Sequence, residues 1–196
     1  MKPLRRRRLP TALLFFLLSA ACAFAAAEDG FGSARKIEAT RFTVYVPVGS
    51  STSALVRQLD IGASDKLLAG AAVEAEDVSP EAELSRATDA LFQRVCDILD
   101  MPLFDYKGSI KVCRDEEHLA RIYKNLFDKE LEGPMGSFYV YDLNTIYITQ
   151  ESFQGPTLGH EIGHAVISNY FVVQPPIKIQ EVLAGYVEYQ LRKTSP

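Results

Sequence analysis

Residues 160–164 read His-Glu-Ile-Gly-His, and that spacing leaves the chain little choice of local structure. Two histidines four apart stand one above the other on an α-helix, where a turn takes about 3.6 residues. The flanking residues agree with a helix over 155–170. Gly155-Pro156-Thr157 opens it with proline in the first turn, and Leu158, Ile162, Ala165 and Val166 form an apolar stripe for a core. His160 and His164 therefore share a separate face, from which both imidazoles can reach one tetrahedral ion. Glu161 lies about 100° around the helix from His160, poorly placed to join both imidazoles as a ligand. It can instead take the proton of a water polarised by the metal. Hydrolytic zinc sites use three protein ligands and keep a fourth position open. A second element must therefore bring the third ligand.

No histidine follows His164, so the third ligand is not a downstream imidazole. A last helix over 178–193 carries Gln180-Glu181-Val182-Leu183-Ala184-Gly185-Tyr186-Val187-Glu188. Glu181 shares a face with Ala184, Gly185 and Glu188, and small residues beside a carboxylate let two helices approach closely. Leu183, Tyr186 and Val187 belong to another face. Glu181 and Glu188 are both ligand candidates, and Glu188 could instead orient a ligating histidine from behind. Tyr186 and Tyr189 are local candidates for stabilising an oxyanion.

The rest of the chain supplies a sheet. Residues 40–46 (TRFTVYV) and 109–113 (SIKVC) read as strands. Residues 136–141 (GSFYVY) and 145–149 (TIYIT) form a hairpin across Asp142-Leu143-Asn144. Short helical character is expected over 51–59. Ser79-Pro80-Glu81 starts a helix reaching about residue 99, and another spans 115–127. His118, among three acids, is expected on a solvated helix face. Residues 62–78 read as a loop. The expectation is an α+β domain over 40–196, a small mixed sheet with a β-hairpin packed on a two-helix zinc-binding core, preceded by a flexible leader over 26–39.

Residues 1–25 have the layout of a secretory signal peptide: a basic start through Arg8, an apolar run, and Ala23-Phe24-Ala25. The mature chain is then expected in the periplasm or outside the cell, with no stable membrane span after cleavage. Lipid attachment at Cys22 is an alternative. Without residues 1–25, 16 basic residues face 25 acidic ones, a net charge of −9. A body this acidic argues against nucleic acid as a partner. Cys96 and Cys113 remain, as one disulfide or as two buried thiols.

The His-Glu-x-x-His helix followed by Glu-x-x-Ala-x-Tyr resembles the core of the gluzincin metallopeptidases, the clan of aminopeptidase N and thermolysin-like enzymes. The specific part of the resemblance is residues 157–189. Residues 180–186 are similar to the aminopeptidase stretch Asn-Glu-Gly-(apolar)-Ala-x-Tyr, with Val182 in place of its glycine. The resemblance implies a zincin-like fold, Zn2+ held by His160, His164 and Glu181, and Glu161 as general base. It also implies a peptide or protein substrate, whose backbone adds to an edge strand beside the site; the strand at 145–149 is the candidate edge. The expected function is an exported zinc-dependent peptidase. The alternative is a zinc-stabilised, catalytically silent binding or accessory domain of the cell envelope.

Overall fold

The computed structural model describes residues 29–60 and 78–194. The expected signal peptide, Cys22 and residues 62–77 of the expected loop lie outside the described residues. Five strands alternate sheet-facing side chains with period two. They are β1 (Ala34–Glu38), β2 (Phe42–Pro47), β3 (Gly108–Cys113), β4 (Ser137–Val140) and β5 (Thr145–Thr149). They form one mixed sheet in the order β1-β2-β3-β5-β4. The inner pairs β2/β3 and β3/β5 are parallel, and the outer pairs β1/β2 and β4/β5 are antiparallel. The fold is α+β.

Five helices accompany the sheet among the described residues: α1 (Thr52–Leu59), α2 (Pro80–Leu99), α3 (Glu116–Phe127), α4 (Gly155–Tyr170) and α5 (Ile177–Thr194). The first three start where the sequence offers a side-chain cap. The oxygens of Ser51, Ser79 and Asp115 accept the backbone N–H groups of Ala54, Ala82 and His118. None of the five is long and apolar enough to cross a membrane.

The two faces of the sheet are covered unequally. Phe42, Val44, Ile110, Val112, Ile146 and Ile148 meet side chains of α1, α2, α4 and α5 in the main core. On the other face Cys113 and Tyr147 meet Leu119 and Ile122 of α3, and Phe31 from the N-terminal segment closes the cluster. Residues 29–39, expected as a flexible leader, are therefore part of the fold. Asp29 is buried, and its carboxylate accepts the Phe31 N–H at 3.0 Å and the Tyr147 hydroxyl at 2.7 Å. It also pairs with Lys111. Lys111 in turn lies over the rings of Phe31, Tyr45 and Tyr147. Residues 34–38 then run on as edge strand β1.

One further expectation changes and one open alternative is decided. His118 is not solvated: it is 3% exposed and stacked on Phe31. Cys96 and Cys113 are free thiols in different clusters, one in the main core and one beneath α3. Burial pushes them up to about 11 and about 12, which keeps both unreactive.

Candidate metal centre

The site sits where α4 and α5 pack against each other beside β4. Inward, α4 buries Leu158, Ile162, Ala165 and Val166 as the apolar stripe requires. The helices meet closely at Gly163: a Cβ there would lie 3.3 Å from the Ala184 Cα. Ala184 thus provides the close approach expected of the small residues on α5. Gly185 does not, since it faces open space.

This contact brings Glu181 over the two histidines. His160 Nε2 and His164 Nε2 are 3.2 Å apart. The Glu181 carboxylate oxygens stand 3.6 Å from the first and 3.5 Å from the second. The oxygen nearer His160 is Oε2 and the one nearer His164 is Oε1, and one ligand atom from each of the three residues lies within 4.8 Å of the other two. Bonds of about 2.0–2.1 Å need ligand atoms roughly 3.3–3.4 Å apart, so the three groups are close enough to share one ion. Burial, and then the charge of His160, hold the His164 imidazole below its ordinary range, which keeps it in the neutral form a metal needs. The donor set of two imidazoles and a carboxylate fits Zn2+.

Behind this triplet, His160 Nδ1 is buried without a hydrogen bond, and the Glu188 Oε2 lies 3.3 Å from it, off the hydrogen-bonding line. The other Glu188 oxygen accepts from Arg192 at 2.6 Å. Glu188 is therefore placed behind the ring, on the side away from Glu181, where a carboxylate orients a ligating histidine.

Glu161 points elsewhere. It is 6% exposed, and its Oε1 accepts the Ser137 hydroxyl at 2.7 Å. Burial pushes this carboxyl up to about 7, and the Ser137 hydrogen bond works in the opposite direction. Ser137 reaches it because β4 pairs antiparallel with β5, Ser137 opposite Ile148. That register turns Ser137 to the sheet face that carries the main core and α4.

An open cleft runs from Glu161 and the histidines past Ser137 and Tyr139 of β4 to Gln174, Ile177 and Gln180. The strand beside it is β4. The candidate edge strand at 145–149 is β5, which lies between β3 and β4 and has no free edge. Tyr186 and Tyr189 do not line the cleft; they lie exposed on the outer side of α5. Sequence reasoning missed Ser137 and Tyr139, and only their place in the hairpin before the metal helix pointed to them. Comparison with family models, with curated proteins and with solved structures finds no match for this chain.

Proposed function

We propose that this chain is a gluzincin-type zinc peptidase, with Zn2+ held by His160, His164 and Glu181. The observation that carries the reading is the separation of roles around α4. Two imidazoles and the Glu181 carboxylate converge within reach of one ion, while the intervening carboxylate is buried and turned to a hydroxyl instead of joining them. A purely structural site has four protein ligands and no use for such a carboxylate.

Zinc, when bound, supplies a Lewis acid for the attacking water and the peptide carbonyl. The remaining work belongs to the chain. Ser137 fixes one oxygen of Glu161, leaving the other for the water. Glu161 accepts the water proton and returns it to the leaving amine, a task suited to a carboxyl held near neutrality. Among the described residues β4 pairs on one side only, with β5, and its other edge offers N–H and C=O groups to an extended peptide, which binds by strand addition alongside Ser137 and Tyr139. An exported enzyme of the periplasm or exterior accords with the secretory layout of residues 1–25.

A second reading, a zinc-stabilised binding domain without catalysis, is favoured by one observation. The two tyrosines nearest Glu181 along α5 are turned away from the cleft and cannot serve an oxyanion. One experiment separates the readings. Purified protein should contain about one zinc per chain, and His160→Ala or His164→Ala should lose it. The zinc-loaded wild type should cleave members of a quenched peptide library. Glu161→Gln should keep the zinc and lose at least ~100-fold in turnover, whereas Glu181→Gln should weaken zinc binding itself. Zinc at one per chain without cleavage of any peptide would select the silent domain.

A further inference from the structure

Strand β4 has a second side. Ser137 and Tyr139 face the cleft, so Phe138 and Val140 turn to the opposite face of the sheet, where Phe138 pairs with Tyr147 of β5. There the Phe138 ring stacks on Tyr147 at 5.0 Å and meets the rings of Tyr123 and Phe127 of α3 edge-on at 5.4 Å and 6.1 Å. Tyr123 and Phe127 are themselves 4.7 Å apart. The cluster is not closed. Phe127 is 41% exposed, and Tyr123, Phe138 and Val140 are half-buried. β5 covers one flank of Phe138 and α3 lies over it, which leaves the flank towards the outer edge of β4.

We infer that this aromatic cluster is a specificity site for the peptide, and that substrates carry a bulky apolar or aromatic residue between two residues that face the metal cleft. The inference rests on the strand addition to β4 proposed above. An added strand alternates its side chains between the two faces of the sheet. Residues directly opposite each other on adjacent antiparallel strands bring their Cβ atoms to about 4.5–5.5 Å. Substrate residues opposite Ser137 and Tyr139 therefore enter the cleft. The residue opposite Phe138 lands on the other face, against Phe138 and, behind it, Phe127. A large apolar side chain there fills the open flank of the cluster and gains both buried area and a cross-strand aromatic contact. Charge agrees. Lys124, next to Tyr123 in sequence, is neutralised by Glu130, so an ionised substrate residue would lose water without gaining that lysine as a partner. The two faces of one strand thus divide the work: one side holds the reacting groups, and the other reads the substrate residue that the cleft does not see.

The chain has no tryptophan, so a tryptophan in a peptide reports on the peptide alone. The probe is acetyl-Thr-Leu-Thr-Trp-Thr-Leu-Thr-amide, whose apolar residues share one face of an extended strand and whose threonines share the other. It is titrated into the zinc-loaded full chain carrying Glu161→Gln, which prevents turnover. The tryptophan emission should shift to the blue on binding. Adding Phe127→Ser or Phe127→Gln should weaken binding at least ~5-fold with the far-ultraviolet circular dichroism unchanged. Phe127→Leu should retain most of it, and Phe104→Ser, exposed in the loop before β3, should bind as the parent does. Equal binding with and without the Phe127 substitutions overturns the inference alone. So does a loss in Ile177→Ser that the Phe127 variants do not share, since the apolar face would then lie in the cleft. A probe that binds none of these proteins overturns strand addition together with the inference. Zinc binding and catalysis are read separately, from metal content and from turnover by the wild type.

Discussion

Ser137 touches the one buried carboxylate of the site, and a hydrogen bond to an ionised group is worth roughly 1.5–3 kcal/mol. Ser137→Ala is expected to lower kcat on a cleaved peptide by about tenfold or more, with zinc content and KM near wild type. Ser137→Thr, which keeps the hydroxyl, should recover most of the loss. A variant that changed KM alone would show that Ser137 binds substrate and does not hold the base. His118 makes a separate prediction, far from the metal. Its Nδ1 accepts the Arg114 N–H at 3.3 Å, so Nε2 carries the proton and donates it to the Phe31 carbonyl at 3.1 Å. Burial first, and then Arg114 and Arg121, hold the ring below its usual 6.5. The unfolded chain takes up a proton near pH 6.5 that the native ring refuses. The unfolded state therefore binds more protons below that pH, and stability falls as pH drops, by at most about 1.4 kcal/mol per unit from this group. Urea unfolding between pH 7 and 5 should show a shallower slope in His118→Gln. An identical slope would assign the effect to other groups. Nothing local in the sequence announced this residue: its neighbours Glu116 and Glu117 suggest solvent, and Phe31, which buries it, is distant in the chain.

At the scale of elements, the junction of α4 and α5 decides whether a third ligand exists. Ala184 is fully buried opposite Gly163, with no room between the two backbones. Ala184→Leu should cost about 1–3 kcal/mol by overpacking, measurable as a lower Tm. It should also weaken zinc binding, because the added bulk pushes Glu181 away from the histidines. Loss of stability with unchanged zinc affinity would mean that Glu181 follows the ion and not the helix. The helices were readable from the chain because their signals are local: Ser79 before Pro80, Asp115 before Glu116, and the periodic stripe around His160 and His164. Strand β1 was not. It buries only Ile37 and sets Arg35, Lys36 and Glu38 towards water, the composition of an edge strand and equally of a loop. Strand order was hidden for a related reason. A hairpin can be read from its turn, but which of its strands faces the next neighbour depends on β3, beyond the hairpin itself. The cysteines could not be paired or separated from sequence, because the sheet that divides them is itself a tertiary feature. Both should alkylate with an iodoacetamide reagent after unfolding and resist it in the native state.

At the scale of the whole molecule, the cover of the second sheet face is shared between α3 and a few residues at the front of the described chain. Asp29 is the centre of that cover. Burial alone would raise its carboxyl, yet Lys111, the Tyr147 hydroxyl and the Phe31 N–H together hold it below the ordinary 3.8. A depressed carboxyl stabilises the fold above the unfolded value, and that stabilisation disappears as pH falls through the lower native value. Asp29→Ala should cost about 2–3 kcal/mol at pH 7, since it leaves Lys111 and Tyr147 without their shared acceptor. The difference from wild type should close as urea unfolding is repeated below about pH 4. A difference that persists undiminished in acid would mean that packing, and not the charge, is what Asp29 contributes.

The anchoring of Asp29 also sets a limit on how the front of this chain can be trimmed. A cut after residue 25, the position expected from Ala23-Phe24-Ala25, leaves three residues ahead of Asp29 and keeps Phe31 on His118 and Asp29 on the Tyr147 hydroxyl. A cut only a few residues further on would remove the carboxylate or the ring, and the small cluster beneath α3 would open to water. If the chain is processed at that position, the permitted cut and the structural limit lie within a handful of residues of each other, and a cut past residue 28 would leave α3 alone to cover its face of the sheet.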